Sequence, residues 1–458
     1  MTVCKMAEDI RAGKLSSLSL VEDCLAKIED YKHLNAVIEI NPDAAEIAKI
    51  RDAAPDKSGI LHGIPVLLKD NINTGDKMRT TAGSLALTEN IAAEDAPAAR
   101  LLREAGAVIL GKANMTEFAN FMSDSKNEAD TAMPNGYSSR GGQCQHPTHP
   151  EADPSGSSTG SAVAVAAGLC SLAVGSETYG SIISPAQHCG VAGLKPTDGL
   201  ISKEGVIPIS FTQDTLGPFA ACVEDTALLL SALSGRSYQM ATAAENITVG
   251  ISRWSIKDNE WLSKEWLLAN EALVPKMEGA GMKTVKIPDE DSGHYAEEVI
   301  KRFIAPKHFV YPILDHEFQY AMDSYLKAQN NPSIPQSLKE IIEYNKNHHE
   351  SALKYNQGTL IHASKISKDW QNEPAYIEAL AERKAAISNL DDLFDEFKID
   401  VLLLLSAHCG LPAATGFPSI TLPIGKTEEG LPIGICMLAR RFNEDVLLSA
   451  AKVIEAFR

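Results

Sequence analysis

The chain has 458 residues, and 42 lysines and arginines against 60 aspartates and glutamates give it a formal net charge of −18. Hydrophobic residues make up 44% of the chain, and its 31 glycines and 23 prolines are ordinary usage. This composition excludes a disordered, collagen-like or low-complexity chain. The acidic balance repels phosphate groups, so neither nucleic acid nor an anionic membrane surface is an expected partner.

The eight cysteines are scattered along the chain without a paired spacing such as Cys-x-x-Cys. Residues 1–9 are charged where a secretory leader would be apolar, and the densest apolar run, residues 401–405, is too short to cross a bilayer. We therefore expect a reduced, cytoplasmic protein without a membrane anchor. The sequence leaves open whether it is a monomer or a homodimer.

Helices and strands alternate through the first part of the chain, which is typical of an α/β protein with a largely parallel sheet. The predicted elements, in chain order, are a helix with a capping box at 19–22, a strand over 36–40, a helix over 42–51, a turn and strand over 63–69, a helix over 98–105, a strand over 107–111 and a helix capped at Asn114.

Residues 254–396 differ from this pattern, because amphipathic helical stretches dominate there, and strand patterns return over 400–406, 419–425 and 431–438 before a final helix capped by Asn443. We interpret the chain as one domain, 1–458, with a mixed, mostly parallel sheet and helices on both faces. Its parts are an N-terminal helical region (1–60), a core (61–250), a helical excursion (254–396) and a return to the core (400–458).

Residues 154–194 contain eight serines and only one charged residue, Glu177, which predicts a buried segment. Close packing of small residues explains most of these serines. It does not explain the turn-like run 155–161, or the grouping of Thr178, Tyr179, Gly180 and Ser181 directly after a predicted strand. Glycine beside serine at the end of a strand lets backbone N–H groups converge on an oxyanion while the hydroxyl attacks.

These motifs resemble the amidase signature family, and in combination they are highly specific. Gly-Ser-Ser-Thr-Gly-Ser over 156–161 is followed, 24 residues after Ser157, by Ser181 within Glu-Thr-Tyr-Gly-Ser-Ile. The resemblance covers about residues 5–457 and is loose only in the helical excursion. Further matching blocks lie at 62–71, 111–119, 185–186, 189–197, 213–218, 416–423 and 430–434.

The resemblance implies a Ser–Ser–Lys triad. Ser181 would be the nucleophile, Ser157 the bridging serine with a cis peptide bond, and Lys69 the base. The oxyanion hole would consist of the backbone N–H groups of Thr178, Tyr179, Gly180 and Ser181. Desolvation at the end of a short apolar strand favours a neutral Lys69, although an exposed lysine with its stem along apolar residues is the alternative.

The resemblance further implies a hydrolase that cleaves a carboxylic amide through an acyl-enzyme and releases ammonia or an amine, with no cofactor and no metal ion. Glu177 and Ile183 replace the usual Asp and Arg, and serine, threonine or tyrosine replaces one glycine in three usual pairs. These departures favour the peptide amidase branch, which removes C-terminal amides from peptides. Small aryl or alkyl amides are alternative substrates, and residues 123–134 resemble an insertion near the site.

Three other readings stay open. Gly-x-Ser-x-Gly at 156–160 would make Ser158 an α/β-hydrolase nucleophile with Asp400 and His408, but three prolines and no apolar run precede it. A glutaminase subunit of a tRNA-dependent amidotransferase shares the motifs and works with partner subunits. A catalytically inactive binding module would not need the triad. His348-His-Glu350 lacks the HExxH metal-binding spacing.

Overall fold

An eleven-stranded sheet runs through the molecule in a computed structural model that describes residues 1–123, 132–253, 263–288 and 306–457. Two further pairs of short strands, β4–β5 and β13–β14, lie outside it. The strands are β1 Val37–Ile40, β2 Pro65–Lys69, β3 Val108–Ala113, β4 Tyr137–Ser138, β5 Gly142–Gln143, β6 Leu172–Glu177, β7 Ala192–Lys195, β8 Thr215–Ala220, β9 Thr248–Ser252, β10 Lys283–Lys286, β11 Val401–Leu404, β12 Ser419–Thr421, β13 Pro423–Lys426, β14 Pro432–Gly434 and β15 Cys436–Ala439.

The order of strands in the large sheet is β1-β3-β2-β6-β8-β7-β12-β15-β11-β9-β10. Parallel pairs join β3, β2 and β6 on one flank and β11, β9 and β10 on the other. The strands between β6 and β11 pair antiparallel, as does β1 at the edge. The α/β class and the mixed sheet are confirmed, and the parallel pairing that the helix–strand alternation predicted lies in the two flanks.

Helices cover both faces of the sheet. Alternate residues of β2 point into different cores, with Val66 and Leu68 in one and Leu67 in the other. The helices of the described residues are α1 Val3–Arg11, α2 Ser17–Asp30, α3 Ala44–Ala53, α4 Pro97–Glu104, α5 Thr159–Ala166, α6 Ile183–Cys189, α7 Val223–Ser234, α8 Lys264–Glu271, α9 Leu273–Gly279, α10 Pro306–Ala328, α11 Leu338–Asn347, α12 His349–Ala352, α13 Gly358–Ala363, α14 Pro374–Phe397, α15 Gly410–Thr415 and α16 Glu444–Glu455.

Helices α10 to α14, which we call the helical segment (residues 306–397), correspond to the described part of the predicted excursion. They share a separate apolar core that includes Phe318, Leu326, Ile341 and Leu360. Residues 254–262 and 289–305 of the excursion lie outside the described residues, as do residues 124–131 of the predicted insertion. Within the described residues, no helix has the length and apolar character needed to cross a membrane.

Some predicted boundaries are wrong for local reasons. The first long helix, α2, begins at Ser17, because the hydroxyl of Ser16 rather than Ser19 caps it. The helix predicted at Asn114 is a short 3₁₀ turn over Glu117–Asn120. The Asn114 side-chain oxygen accepts a hydrogen bond from the Ser138 hydroxyl, and the Glu117 carboxylate accepts one from a backbone N–H of the 138–140 turn. These polar groups bind another part of the chain instead of capping a helix.

Candidate active site

Lys69 ends β2 on the parallel flank of the sheet, between β3 and β6. Its side chain is completely buried, so the alternative of an exposed lysine is excluded. The Nζ atom lies 2.8 Å from the Ser157 hydroxyl oxygen, 2.9 Å from that of Ser158 and 3.2 Å from the Ser176 carbonyl oxygen. The structure therefore brings two of the three predicted triad residues into direct contact, and it adds a second serine.

Burial lowers the pKa of Lys69 to about 7, because desolvation disfavours the ammonium form. The negative charges of Asp214 and Glu177 oppose this shift. Near neutral pH, a large fraction of Lys69 is therefore the neutral amine, which can accept a proton.

Ser157 and Ser158 lie just before α5, and the peptide bond between Gly156 and Ser157 is cis, as the resemblance implied. The Ser157 carbonyl accepts a hydrogen bond from the Thr116 N–H at 3.1 Å, so the 111–119 block holds this serine in place. The Ser158 hydroxyl donates to the Ser176 carbonyl at 2.9 Å and accepts from the Ser176 N–H at 3.2 Å. Ser158 is thus engaged on both sides by the backbone of β6.

Ser181 lies in a tight turn between β6 and α6, and it is only 8% exposed. Its carbonyl accepts a hydrogen bond from the Ser158 N–H at 3.2 Å, which joins this turn to the two serines beside Lys69. Gly180 has a φ of +86°, and a Cβ atom there would lie 2.8 Å from the Cys409 sulfur. The turn therefore requires glycine directly before the predicted nucleophile.

Glu177 closes the same turn from inside. One of its carboxylate oxygens accepts the backbone N–H groups of Ile182 at 2.7 Å and Ile183 at 3.0 Å, at the start of α6. Burial raises the pKa of Glu177, whereas the charge of Lys195 and these backbone donors act in the opposite direction. The departure from aspartate thus keeps a carboxylate that receives the N–H groups following Ser181.

Asp214 holds the turn from the other side. Its Oδ1 accepts the Thr178 hydroxyl at 2.5 Å, and the Gln213 side-chain amide donates to the Thr178 carbonyl at 3.4 Å. Both residues belong to the matching 213–218 block, but sequence reasoning assigned them no role. A signal was present nonetheless, because an adjacent Gln and Asp within a largely apolar strand region need polar partners.

The Ser158–Asp400–His408 alternative is not assembled. Asp400 and His408 flank opposite ends of β11, and the Asp400 carboxylate accepts the Thr248 N–H at 2.8 Å. The Ser158 hydroxyl instead contacts Lys69 and Ser176. No strand leads into Ser158, since residues 144–158 form turns and irregular chain. Within the described ranges, no three His, Cys, Asp or Glu side chains are placed to hold a metal ion together.

A family model described as Amidase matches residues 19–448. The chain belongs to the amidase family. It is 35% identical to a probable amidase of Arabidopsis thaliana over 98% of this chain and 89% of the relative. The fold matches the native peptide amidase of Stenotrophomonas maltophilia with a TM-score of 0.86 and 33% identity, covering 100% of this chain and 96% of that one. The predictions of the family and of an enzyme that hydrolyses amides are confirmed.

This amidase is also 29% identical to a glutamyl-tRNA(Gln) amidotransferase subunit of Koribacter versatilis, over 97% of the chain and 96% of the relative. The family thus includes proteins named for peptide amides and a protein named for a tRNA-linked amide. Membership of the family does not by itself distinguish the substrates of these relatives.

Proposed function

We propose that this amidase cleaves C-terminal amides of short peptides through an acyl-enzyme on Ser181. The carrying observation is the 2.8 Å contact between the buried Lys69 amine and the Ser157 hydroxyl, beside the turn that holds Ser181. The whole-chain similarity to a peptide amidase supports the choice of substrate.

In the proposed reaction, the neutral Lys69 amine takes the proton of Ser157, and Ser157 takes the proton of Ser181 as its oxygen attacks the amide carbonyl. Backbone N–H groups of the 178–181 turn stabilise the developing oxyanion. The relay then returns a proton to the leaving nitrogen, and ammonia departs. Water attacks the acyl-enzyme by the same relay in reverse and releases the free acid.

Labelling the protein with a fluorophosphonate identifies the nucleophile. We expect mass spectrometry to place the adduct on Ser181, because this hydroxyl forms the acyl-enzyme. A Ser181→Ala variant should remain unlabelled, and Ser184→Ala, three residues further along, serves as a matched control. An adduct on Ser158 would contradict the proposal and return attention to an α/β-hydrolase mechanism.

Ammonia release defines the substrate class. We expect the purified chain to release ammonia faster from an N-acylated dipeptide amide than from benzamide or free glutamine. Preference for glutamine, with activity only after copurification with other subunits, would instead support the amidotransferase alternative.

We further propose that the protein acts in the cytoplasm, without metal or cofactor. All eight cysteines are free and unpaired, as in a reducing compartment. Activity that survives dialysis against a chelator would support metal-independent catalysis, and loss of activity that added metal restores would contradict it.

A further inference from the structure

The loop of residues 203–214 lies between the helical segment and the turn that carries the predicted nucleophile. On the turn side, Asp214 folds this loop around its own carboxylate. Its Oδ2 accepts the backbone N–H groups of Ile209 at 2.8 Å and Ser210 at 2.9 Å. Its Oδ1 accepts the Thr178 hydroxyl, so the conformation of the loop fixes where Thr178 is held.

On the other side, the same loop is bound by Glu317 of α10, which is 1% exposed. Glu317 Oε2 accepts the Thr212 N–H at 2.9 Å and the hydroxyl of Ser210. Oε1 accepts the Tyr376 hydroxyl of α14 at 2.8 Å and the hydroxyl of Thr212. One buried carboxylate thus joins two helices of the helical segment to the loop.

The two carboxylates act on one short stretch of backbone. The Ser210 hydroxyl donates to Glu317 and accepts the Gln213 N–H at 3.1 Å, and Gln213 reaches the carbonyl of Thr178 with its side chain. Thr178 is consequently held at its hydroxyl and its carbonyl by two consecutive residues of the loop. The chain of contacts runs from α14 through α10 to the first residue of the predicted oxyanion hole.

We propose that Glu317 is a positioning residue for amide hydrolysis. It holds the 203–214 loop in the conformation in which Asp214 and Gln213 orient the turn of Thr178 and Ser181. It touches neither of these two turn residues and acts only through the loop. This inference rests on the proposed function, because it assumes that the turn stabilises the oxyanion.

The test compares Glu317→Gln with Glu373→Gln, using an N-acylated dipeptide amide as substrate. Glu373 is a control from the same segment, because its carboxylate contacts His316 of α10 at 3.0 Å and, among the described residues, makes no hydrogen bond with the loop. We expect Glu317→Gln to lower kcat about tenfold or more with KM within about twofold, since a misplaced donor weakens transition-state stabilisation more than substrate binding. Glu373→Gln should keep the wild-type constants.

A peptide aldehyde, which forms an oxyanion-like adduct with a serine, provides a readout that loss of folding stability would not move. Its inhibition constant should weaken in Glu317→Gln by the same factor as kcat, while that of the matching peptide alcohol stays unchanged. Combining Glu317→Gln with Thr178→Val should then give a loss smaller than the product of the single losses. Independent, multiplicative losses, or parallel weakening of aldehyde and alcohol, would overturn the inference.

If Glu317→Gln does not fold, Tyr376→Phe removes one of the four donors with little change of shape. It should produce a smaller fall in kcat with the same unchanged KM, and an unaltered kcat would overturn the inference. Failure of the wild-type protein to hydrolyse the amide would instead refute the proposed function, so the two outcomes are distinguishable.

Discussion

Two fully buried lysines lie on neighbouring strands and have different surroundings. Lys69 ends β2, and Lys112 of β3 lies opposite Leu68 in the parallel register. The amine of Lys69 contacts two serine hydroxyls and one carbonyl. The amine of Lys112 contacts the Ile72 carbonyl and, at 3.0 Å, the Thr80 hydroxyl.

Burial lowers the pKa of both groups, to about 7 for Lys69 and about 8 for Lys112. The negative charges of Asp70, Asp76 and Glu39 oppose the shift at Lys112. The comparison shows that a lowered pKa does not by itself identify a catalytic base. Lys69 contacts a serine beside the turn of the predicted nucleophile, whereas the contacts of Lys112 hold together backbone on the other side of β2.

The largest expected effect separates the two lysines directly. Lys69→Arg should lower kcat by about 10⁴-fold or more at every pH, because guanidinium stays protonated and cannot act as a base. Steady-state kinetics on the folded variant measures this loss, with circular dichroism as the check of folding. Turnover near the wild-type value would end the Ser–Ser–Lys assignment.

The two serines that contact Lys69 provide the next comparison. Ser157→Ala should lower kcat by roughly 10³-fold, because it interrupts the proposed proton relay. Ser158→Ala should cost only about tenfold, because that hydroxyl bonds to the Ser176 backbone and positions Lys69 without carrying the proton. Equal losses in the two variants would show that the relay does not run through Ser157 alone.

The pH profile sharpens the assignment of the base. Since the neutral amine is the active form, kcat/KM should rise about tenfold per pH unit below pH 7 and level off above about pH 8. An imidazole base titrates in a similar range, so the profile alone does not distinguish Lys69 from His408. Loss of the rise in Lys69→Arg but not in His408→Gln would assign it to Lys69.

The smallest effect on turnover is expected at Lys112. Lys112→Met should leave kcat within about threefold but lower the free energy of unfolding by roughly 1–3 kcal/mol, because buried acceptors lose their donor. The Lys112 pKa is lower when folded than its unfolded value of about 10.4. Its contribution to stability is therefore full above that value and declines as pH falls towards 8. Denaturant titrations of both proteins across this range measure the difference.

The sequence predicted those parts of the site that depend on local pattern. The neutral composition of residues 154–194 indicated burial, and most of that segment is indeed buried. The contact of Lys69 with Ser157 followed from a family resemblance, not from the residues alone, because 88 residues separate the two. Whether Ser181, Ser157 and Lys69 carry the reaction stays a prediction.

Other contacts had no local signal. Glu317 meets Ser210 across 107 residues, and nothing in an amphipathic helix marks one of its glutamates as buried. The strand predicted over 419–425 breaks after Thr421, where Pro423 cannot donate to the ladder, and continues as a separate strand. Tertiary partners decided both outcomes.

The connection between β9 and β11 bears on how such enzymes diversify. These strands are parallel neighbours, and a crossover between them needs only about a dozen residues. Here it spans residues 253–400 and contains the helical segment. Because the entropy of closing a loop grows only with the logarithm of its length, insertions and deletions here cost little stability. Evolution can therefore remodel this crossover freely, provided that a carboxylate equivalent to Glu317 still reaches the 203–214 loop.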